Sequence, residues 1–286
     1  MPKRDVGGAA KRASSSSHST MSFKSPARQL LSSVPLTEKT TDPHNGLIPG
    51  LPEDIAEICI ALVPQRHFPA MGAVSRRWRS FIGSREFSTI RKEVRKIEEL
   101  VYVLARKSGA NGSRWEVLGE HKNRAIPPMP GLTKVEFGVV VFYGKLYVMA
   151  GYTAVHGKDY VSDEVYQYDA RLNRWSTLAK MNFARRDFAC TEVNGIIYVA
   201  GGFGSGGDDL SSVEAYDLQQ NRWTLIGNLR RPRWGCLAYG LNNKLYIMGG
   251  RSRFTIGNSR FIDVYDLSHP CWEEIKRGCV MVTFFR

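Results

Sequence analysis

The chain has 286 residues, 43% of them apolar and 23% charged, which is enough for two domains and a sizeable core. Its formal charge of +13 is spread rather than striped, with +4 over residues 1–46, +2 over 47–94 and +7 over the remainder, and no aromatic-rich platform accompanies it, so nucleic acid is not an expected partner. No run approaches the roughly 18 apolar residues a membrane span needs, and five cysteines without a CxxC pair or an apolar signal core point to reduced thiols and a cytoplasmic and/or nuclear location.

Residues 1–46 are basic and serine-rich, with Ser14 to Ser17 in a row and little to bury; a disordered tail is expected. The same bias suits a transit peptide or a solvated, phosphorylatable segment. A helical unit is predicted over 47–93, with a helical linker over 94–100. In L-P-E-D-I-A-E-I-C-I-A-L-V-P, Pro52 suits a first helical position, Glu53 and Asp54 favour the positive helix end, and Pro64 terminates the helix. Ile55, Ile58, Cys59 and Leu62 recur at the i, i+3, i+4, i+7 spacing of one face. A second helix places Met71, Val74, Trp78 and Phe81 or Ile82 on one stripe, and a third, from Glu86 to about Leu100, does so with Phe87, Ile90, Val94 and Ile97. Three helices in about 45 residues make a small core, and so many large side chains need a further surface to cover them.

Leu51-Pro52-x-Asp54, the apolar spacing through Leu62, and Val74-Ser75-Arg76-x-Trp78-Arg79 resemble the F-box, the short helical motif that docks on the Skp-type adaptor of cullin ubiquitin ligases. The resemblance implies that Leu51, Pro52, Ile55, Ile58, Leu62, Val74 and Trp78 form the adaptor-facing and core positions. Spacing alone does not divide them between the two roles.

Beyond residue 100 the chain repeats. V-Y-Q-Y-D-A-R-L-N-R-W from Val165, V-E-A-Y-D-L-Q-Q-N-R-W from Val213 and I-D-V-Y-D-L-S-H-P-C-W from Ile262 superpose, each with an aspartate (Asp169, Asp217, Asp266) six residues before a tryptophan (Trp175, Trp223, Trp272). The tryptophans are 48 and then 49 residues apart. G-K-L-Y-V-M-A-G, G-I-I-Y-V-A-G-G and N-K-L-Y-I-M-G-G ride on the same period as buried strands that end in glycine. A degraded copy precedes them, with Ala125 where tryptophan is expected.

A period of about 50 with paired glycines, Tyr-Asp and a late tryptophan resembles the kelch repeat, whose units are four-stranded blades of a β-propeller. The expected units are a partial one over 101–129, whole ones over about 130–179, 180–227 and 228–276, and a stub over 277–286 that reads as the inner strand of a further blade. The fold class is therefore multidomain α plus all-β, an N-terminal three-helix F-box followed by kelch-type blades. Two endings compete. The stub closes a four-bladed ring with the partial unit, or the chain is shortened at its C-terminus and forms an open arc; the second is the one expected, because kelch-like rings usually have more blades.

The combination resembles plant-type F-box/kelch proteins, and implies a non-catalytic substrate receptor that joins a Skp-type adaptor, through it a cullin ligase, and an unknown protein substrate. A ligase-independent kelch scaffold and a shortened form that binds adaptor but not substrate are the alternatives. For substrate contact the candidates are Arg186, Arg233 and Arg251, which sit before inner strands or after a glycine pair and carry forks suited to carboxylates. Loop solvation, or pairing with the repeated aspartate, explains the same positions. Gly202-x-Gly204-x-x-Gly207 lacks the helix a nucleotide loop requires, and the six histidines have no ligand spacing. No cofactor, metal or catalytic residue is assigned.

Overall fold

The computed structural model describes residues 46–106, 113–118, 123–155, 157–253 and 261–275. The predicted tail and the stub over 277–286 lie outside the described residues, apart from Gly46.

The N-terminal unit has four helices rather than three: α1 Glu53–Leu62, α2 Phe68–Val74, α3 Arg76–Gly83 and α4 Arg85–Glu93, with a 3-10 turn over Gln65–His67. Ser75 causes the difference, splitting the predicted second helix in two. Ser75 is extended and its hydroxyl accepts from the Trp78 amide, while Ser84 accepts from the Phe87 amide, so each ends one helix by capping the next. The expected helical linker over 94–100 is also corrected, because α4 stops at Glu93. Arg95 turns left-handed, with φ 53°, and the Lys96 amide returns to the Arg91 carbonyl, a hydrogen-bonded stop that needs no glycine here. Glu98 then ties the strap back, accepting from Arg91 at 3.2 Å and from the Gln65 amide at 2.8 Å.

Inside this unit Leu47, Ala56, Ile60, Ala61, Phe68, Phe81, Ile82 and Phe87 form one core. Phe87 meets Phe68 and Phe81 edge-on at 5.1 and 5.3 Å between ring centres.

All the sheets that follow are antiparallel. The first has three strands, β1 Tyr102–Arg106, β2 Ser113–Val117 and the short β3 Arg124–Ala125. Three four-stranded blades succeed it. They comprise β4 Gly138–Phe142, β5 Lys145–Met149, β8 Val165–Asp169 and β9 Arg174–Thr177, with the hairpin β6 Tyr152–Val155 and β7 Lys158–Val161 inserted; then β10 Ala189–Val193, β11 Ile196–Ala200, β12 Ser212–Asp217 and β13 Arg222–Asn228; then β14 Trp234–Leu241, β15 Lys244–Arg251, β16 Ile262–Asp266 and β17 Cys271–Ile275.

The repeated residues recur in one register. Tyr168 pairs with Trp175, Tyr216 with Trp223 and Tyr265 with Trp272, with rings 5.2, 4.9 and 4.9 Å apart. Trp175 and Trp223 donate their indole N–H to Pro127 and Ala179 of the preceding unit. The repeated aspartates cap their own turns: Asp169 accepts from the amides of Arg171 and Leu172, Asp217 from Gln219 and Gln220, and Asp266 from Ser268 and His269, while Asp169 and Asp266 also pair with Lys145 and Lys244 of the glycine strands. Blades are stitched along their inner strands, where the Asp187 amide meets the Glu136 carbonyl and the Gly235 amide the Asp187 carbonyl.

Cys190 and Cys236 lie on the inner strands of the second and third blades, where packing pushes their thiols up, to about 12 and about 11, chiefly by burial. They are structural residues. Val139 and Val141 of β4 and Leu237, Tyr239 and Leu241 of β14 stand exposed on the inner strands of the first and third blades.

Where each buried strand leaves its blade, the second position of the pair requires glycine, at Gly151, Gly202 and Gly250, while Ala150 occupies the first position in the first blade. Gly202 has φ 97°, and a Cβ there would lie 2.6 Å from the Arg186 carbonyl oxygen. We expect Gly202→Ala to cost about 2 to 3 kcal/mol in urea unfolding, from backbone strain and that clash together. Wild-type stability in this variant would refute the requirement.

Candidate functional site

Two surfaces hold the candidate residues, one on the helices and one on the blades. On α1 the core takes Ala56, Ile60 and Ala61. The predicted stripe lies on the other side of the same helix. Ile55 and Ile58 are half-buried, and beside them Pro52 is exposed, Leu51 is 38% exposed and Leu62 44%. Val74, the last residue of α2, is 79% exposed. Six of the seven candidates thus present apolar surface that the helical core does not use. The seventh differs: Trp78 donates its indole N–H to the Leu47 carbonyl at 2.7 Å and packs against the core, so it holds the chain entry in place.

On the blades, the arginine candidates separate by one residue of phase. Arg233 is corrected as a surface contact, because it is 1% exposed and its guanidinium meets Asp263 at 2.6 Å and the carbonyls of Gly249 and Phe261. Its repeat equivalent is Arg185, 48 residues earlier and fully buried, which meets Glu214 at 2.6 Å, Ser212 and the Gly201 carbonyl. Lys134 holds the matching place in the first blade and reaches Ser162 and Glu164. Each cation brackets the exit of the glycine strand to the third strand of its own blade. Burial pulls the Arg185 guanidinium below its ordinary range against the pull of Glu214, and burial pushes the Asp263 carboxyl up. The partner is therefore not the repeated aspartate but Glu214 or Asp263, three residues earlier.

Arg186 occupies the next position and faces outward. It pairs with Glu136 at 2.7 Å and lies over the rings of Tyr152 and Phe203 at 4.6 and 5.2 Å. Phe203 in turn stacks on Trp234 at 4.5 Å. Arg251, exposed, is the strand neighbour of Trp234. These side chains come from three blades, since Arg186 precedes the inner strand of the second blade while Tyr152, Phe203 and Arg251 each follow the glycine of a buried strand in the first, second and third blades. Beside them the Asp187 carboxyl is raised by burial and by Glu136. Sequence reasoning missed Arg185, Glu214 and Asp263. Stepping 48 residues back from Arg233 reaches Arg185 rather than Arg186, and that arithmetic was the available signal.

Among the described residues no group of three His, Cys, Asp or Glu is placed to hold a metal ion. Gly202 to Gly207 closes as a turn, with Gly204 bonded to Asp208 and Phe203 bridging Arg186 and Asp209, and leads into a strand rather than a helix.

A capped helical unit with an outward apolar face, joined to tandem four-stranded blades, defines the class of F-box proteins that carry kelch blades. The family models agree, with the F-box domain matching residues 48–89 and the Kelch motif matching 134–182 and 184–230. Relatives from Arabidopsis thaliana include the F-box/kelch-repeat protein At1g67480, 52% identical over 83% of this chain and 64% of its own length, and the putative F-box/kelch-repeat protein At1g27420, 37% identical over 80% and 67%. The chain belongs to the F-box/kelch-repeat family of plant proteins and spans about two thirds of the length of these relatives. Its fold is also similar to the solved structure of YjhT, with a TM-score of 0.51 and 16% identity over 57% of this chain and 58% of that one.

Proposed function

We propose that the chain is the substrate-recognition subunit of an SCF-type E3 ubiquitin ligase complex. The observation that carries this reading is the apolar face of Leu51, Pro52, Ile55, Ile58, Leu62 and Val74, which stands outside the helical core. A Skp-type adaptor is the partner that face fits, and a cullin ligase joins through it. The blades hold the protein to be ubiquitinated, and the stack of Tyr152, Arg186, Phe203 and Trp234 with Arg251 is the candidate contact, being rich in the aromatic and arginine side chains that anchor interfaces. In this role the chain performs no chemistry; it raises the effective concentration of the substrate beside a charged conjugating enzyme, in the cytoplasm and/or nucleus.

Adaptor capture tests the reading. Purified full chain mixed with a Skp-type adaptor should give a stoichiometric complex, and Leu62→Asp plus Val74→Asp should abolish it with the helices still folded, because neither side chain belongs to the helical core. No capture by the wild-type chain, or undiminished capture by the variant, would sink the proposal.

A further inference from the structure

The helical unit and the blades meet at a point that neither needs for its own core. In the first blade the turn between β8 and β9 carries Arg171 and Leu172; in the second and third blades the same places hold Gln219 and Gln220, then Ser268 and His269. The three turns share one backbone arrangement, in which the aspartate binds two successive amides, so the fold does not ask for arginine at this site. Arg171 is nevertheless 8% exposed. Its guanidinium crosses to the junction of α3 and α4, donating to the Gly83 carbonyl at 3.4 Å, the Ser84 carbonyl at 3.3 Å and the Ser88 hydroxyl at 3.0 Å. Those carbonyls close the C-terminal end of α3, where the helix dipole is negative and a cation is favoured. Asp169 steadies the same guanidinium from behind at 3.4 Å.

Two further contacts flank this one. The Arg85 guanidinium lies over the ring of Tyr143, at the β4–β5 turn, 5.7 Å from its centre. With the Gln219 amide oriented to satisfy both partners, its oxygen accepts from both terminal nitrogens of Arg85 at 3.1 Å. The turn residue of the second blade that matches Arg171 thus touches the same helix pair. On the covalent side, the strap over 94–100 is held to the helices through Glu98.

We infer that Arg171, supported by Arg85 and Gln219, is a positioning residue that sets the helical unit at one fixed orientation on the blades, making a rigid joint of what would otherwise be a tether. A planar fork that engages two successive carbonyls and a hydroxyl at once resists rotation in a way that a single contact does not. On the ligase reading proposed above, the consequence is that substrate is presented at one angle and distance from the adaptor, where a small misplacement is costly to transfer.

The test reads orientation directly and uses no adaptor, so its outcome is separate from that of the ligase reading. Spectroscopic labels at the exposed positions Thr89 and Ser205 of the full chain report the distance between α4 and the second blade by pulsed electron resonance. The wild-type chain should show one narrow distance. Arg171→Ala should lose that peak to a broad distribution, while Arg171→Lys, which keeps the charge without the fork, should fall between. Arg85→Ala with Gln219→Ala changes exposed side chains only and should broaden the peak with the blades intact. A narrow, unshifted distance in Arg171→Ala overturns the inference; should that variant fail to fold, the same result in the Arg85→Ala and Gln219→Ala double variant overturns it.

Discussion

Arg185→Ala is expected to remove about 3 to 5 kcal/mol from the stability of the blades. The side chain and its partner Glu214 are both fully buried, and truncation leaves the Glu214 carboxylate in a dry site with no cation. The remaining donors to that carboxylate are the Asn182 amide and side chain and the Phe183 amide, which satisfy its oxygens without neutralising it. The carbonyls of Gly201 and Ser212 lose a donor as well. The Arg185 Nε has no partner, so the bracket is imperfect, and an apolar replacement of both members costs less than removal of one.

Urea unfolding of the full chain checks this as a cycle. Arg185→Met with Glu214→Leu should be more stable than Arg185→Ala alone, and Arg186→Ala, one residue away on a partly exposed pair, should cost no more than about 1 kcal/mol. Equal losses from Arg185→Ala and Arg186→Ala would refute the assignment of Arg185 as a structural bracket.

Trp78→Ala is expected to abolish adaptor capture by unfolding the helices, at a cost of about 3 kcal/mol. The indole fills the space between the Leu47 segment and the core and donates to the Leu47 carbonyl. A four-helix unit this small has little stability to spare. Hydrogen exchange separates this from a lost docking contact: amides of α1 to α4 should lose protection in Trp78→Ala and keep it in Val74→Asp. If Trp78→Ala kept full protection yet failed to bind, Trp78 would belong on the docking face after all.

Much of the fold was legible because it is written in local, periodic terms. Asp169, Asp217 and Asp266 bind amides two and three residues on, and the tyrosine and tryptophan of each unit meet across one tight turn. Such contacts depend on neighbours in the chain, so their spacing survives in the sequence. The helix count was not legible, since Ser75 acts as a cap only if the backbone opens there, and the apolar stripe from Met71 to Ile82 runs through it and hides the break. The end at Glu93 was hidden likewise, because Glu98 reaches Arg91 and Gln65 in place of continuing the helix.

The candidate site divides along the same line. The stripe of Ile55, Ile58 and Leu62 was visible as a stripe, but whether it faced the core or the outside depended on Phe68, Phe81 and Phe87 arriving on the opposite side. Arg185 and Arg186 are indistinguishable as adjacent letters, yet the segment leading into β10 buries one against Glu214 and, through the bridge of Arg186 to Phe203, sends the other between Tyr152 and Phe203.

By itself the sequence determined two units, their order, the repeat period, the strands with their glycine exits and the apolar stripe of the first helix, because each is a statement about residues close together in the chain. Only the tertiary structure decided which arginines are buried, that Trp78 ties the Leu47 segment to the helical core, and that Arg171 reaches the helix end 88 residues before it. Those outcomes follow from packing between segments far apart in sequence, where one residue of phase or one neighbouring blade decides whether a charge meets water or a carboxylate.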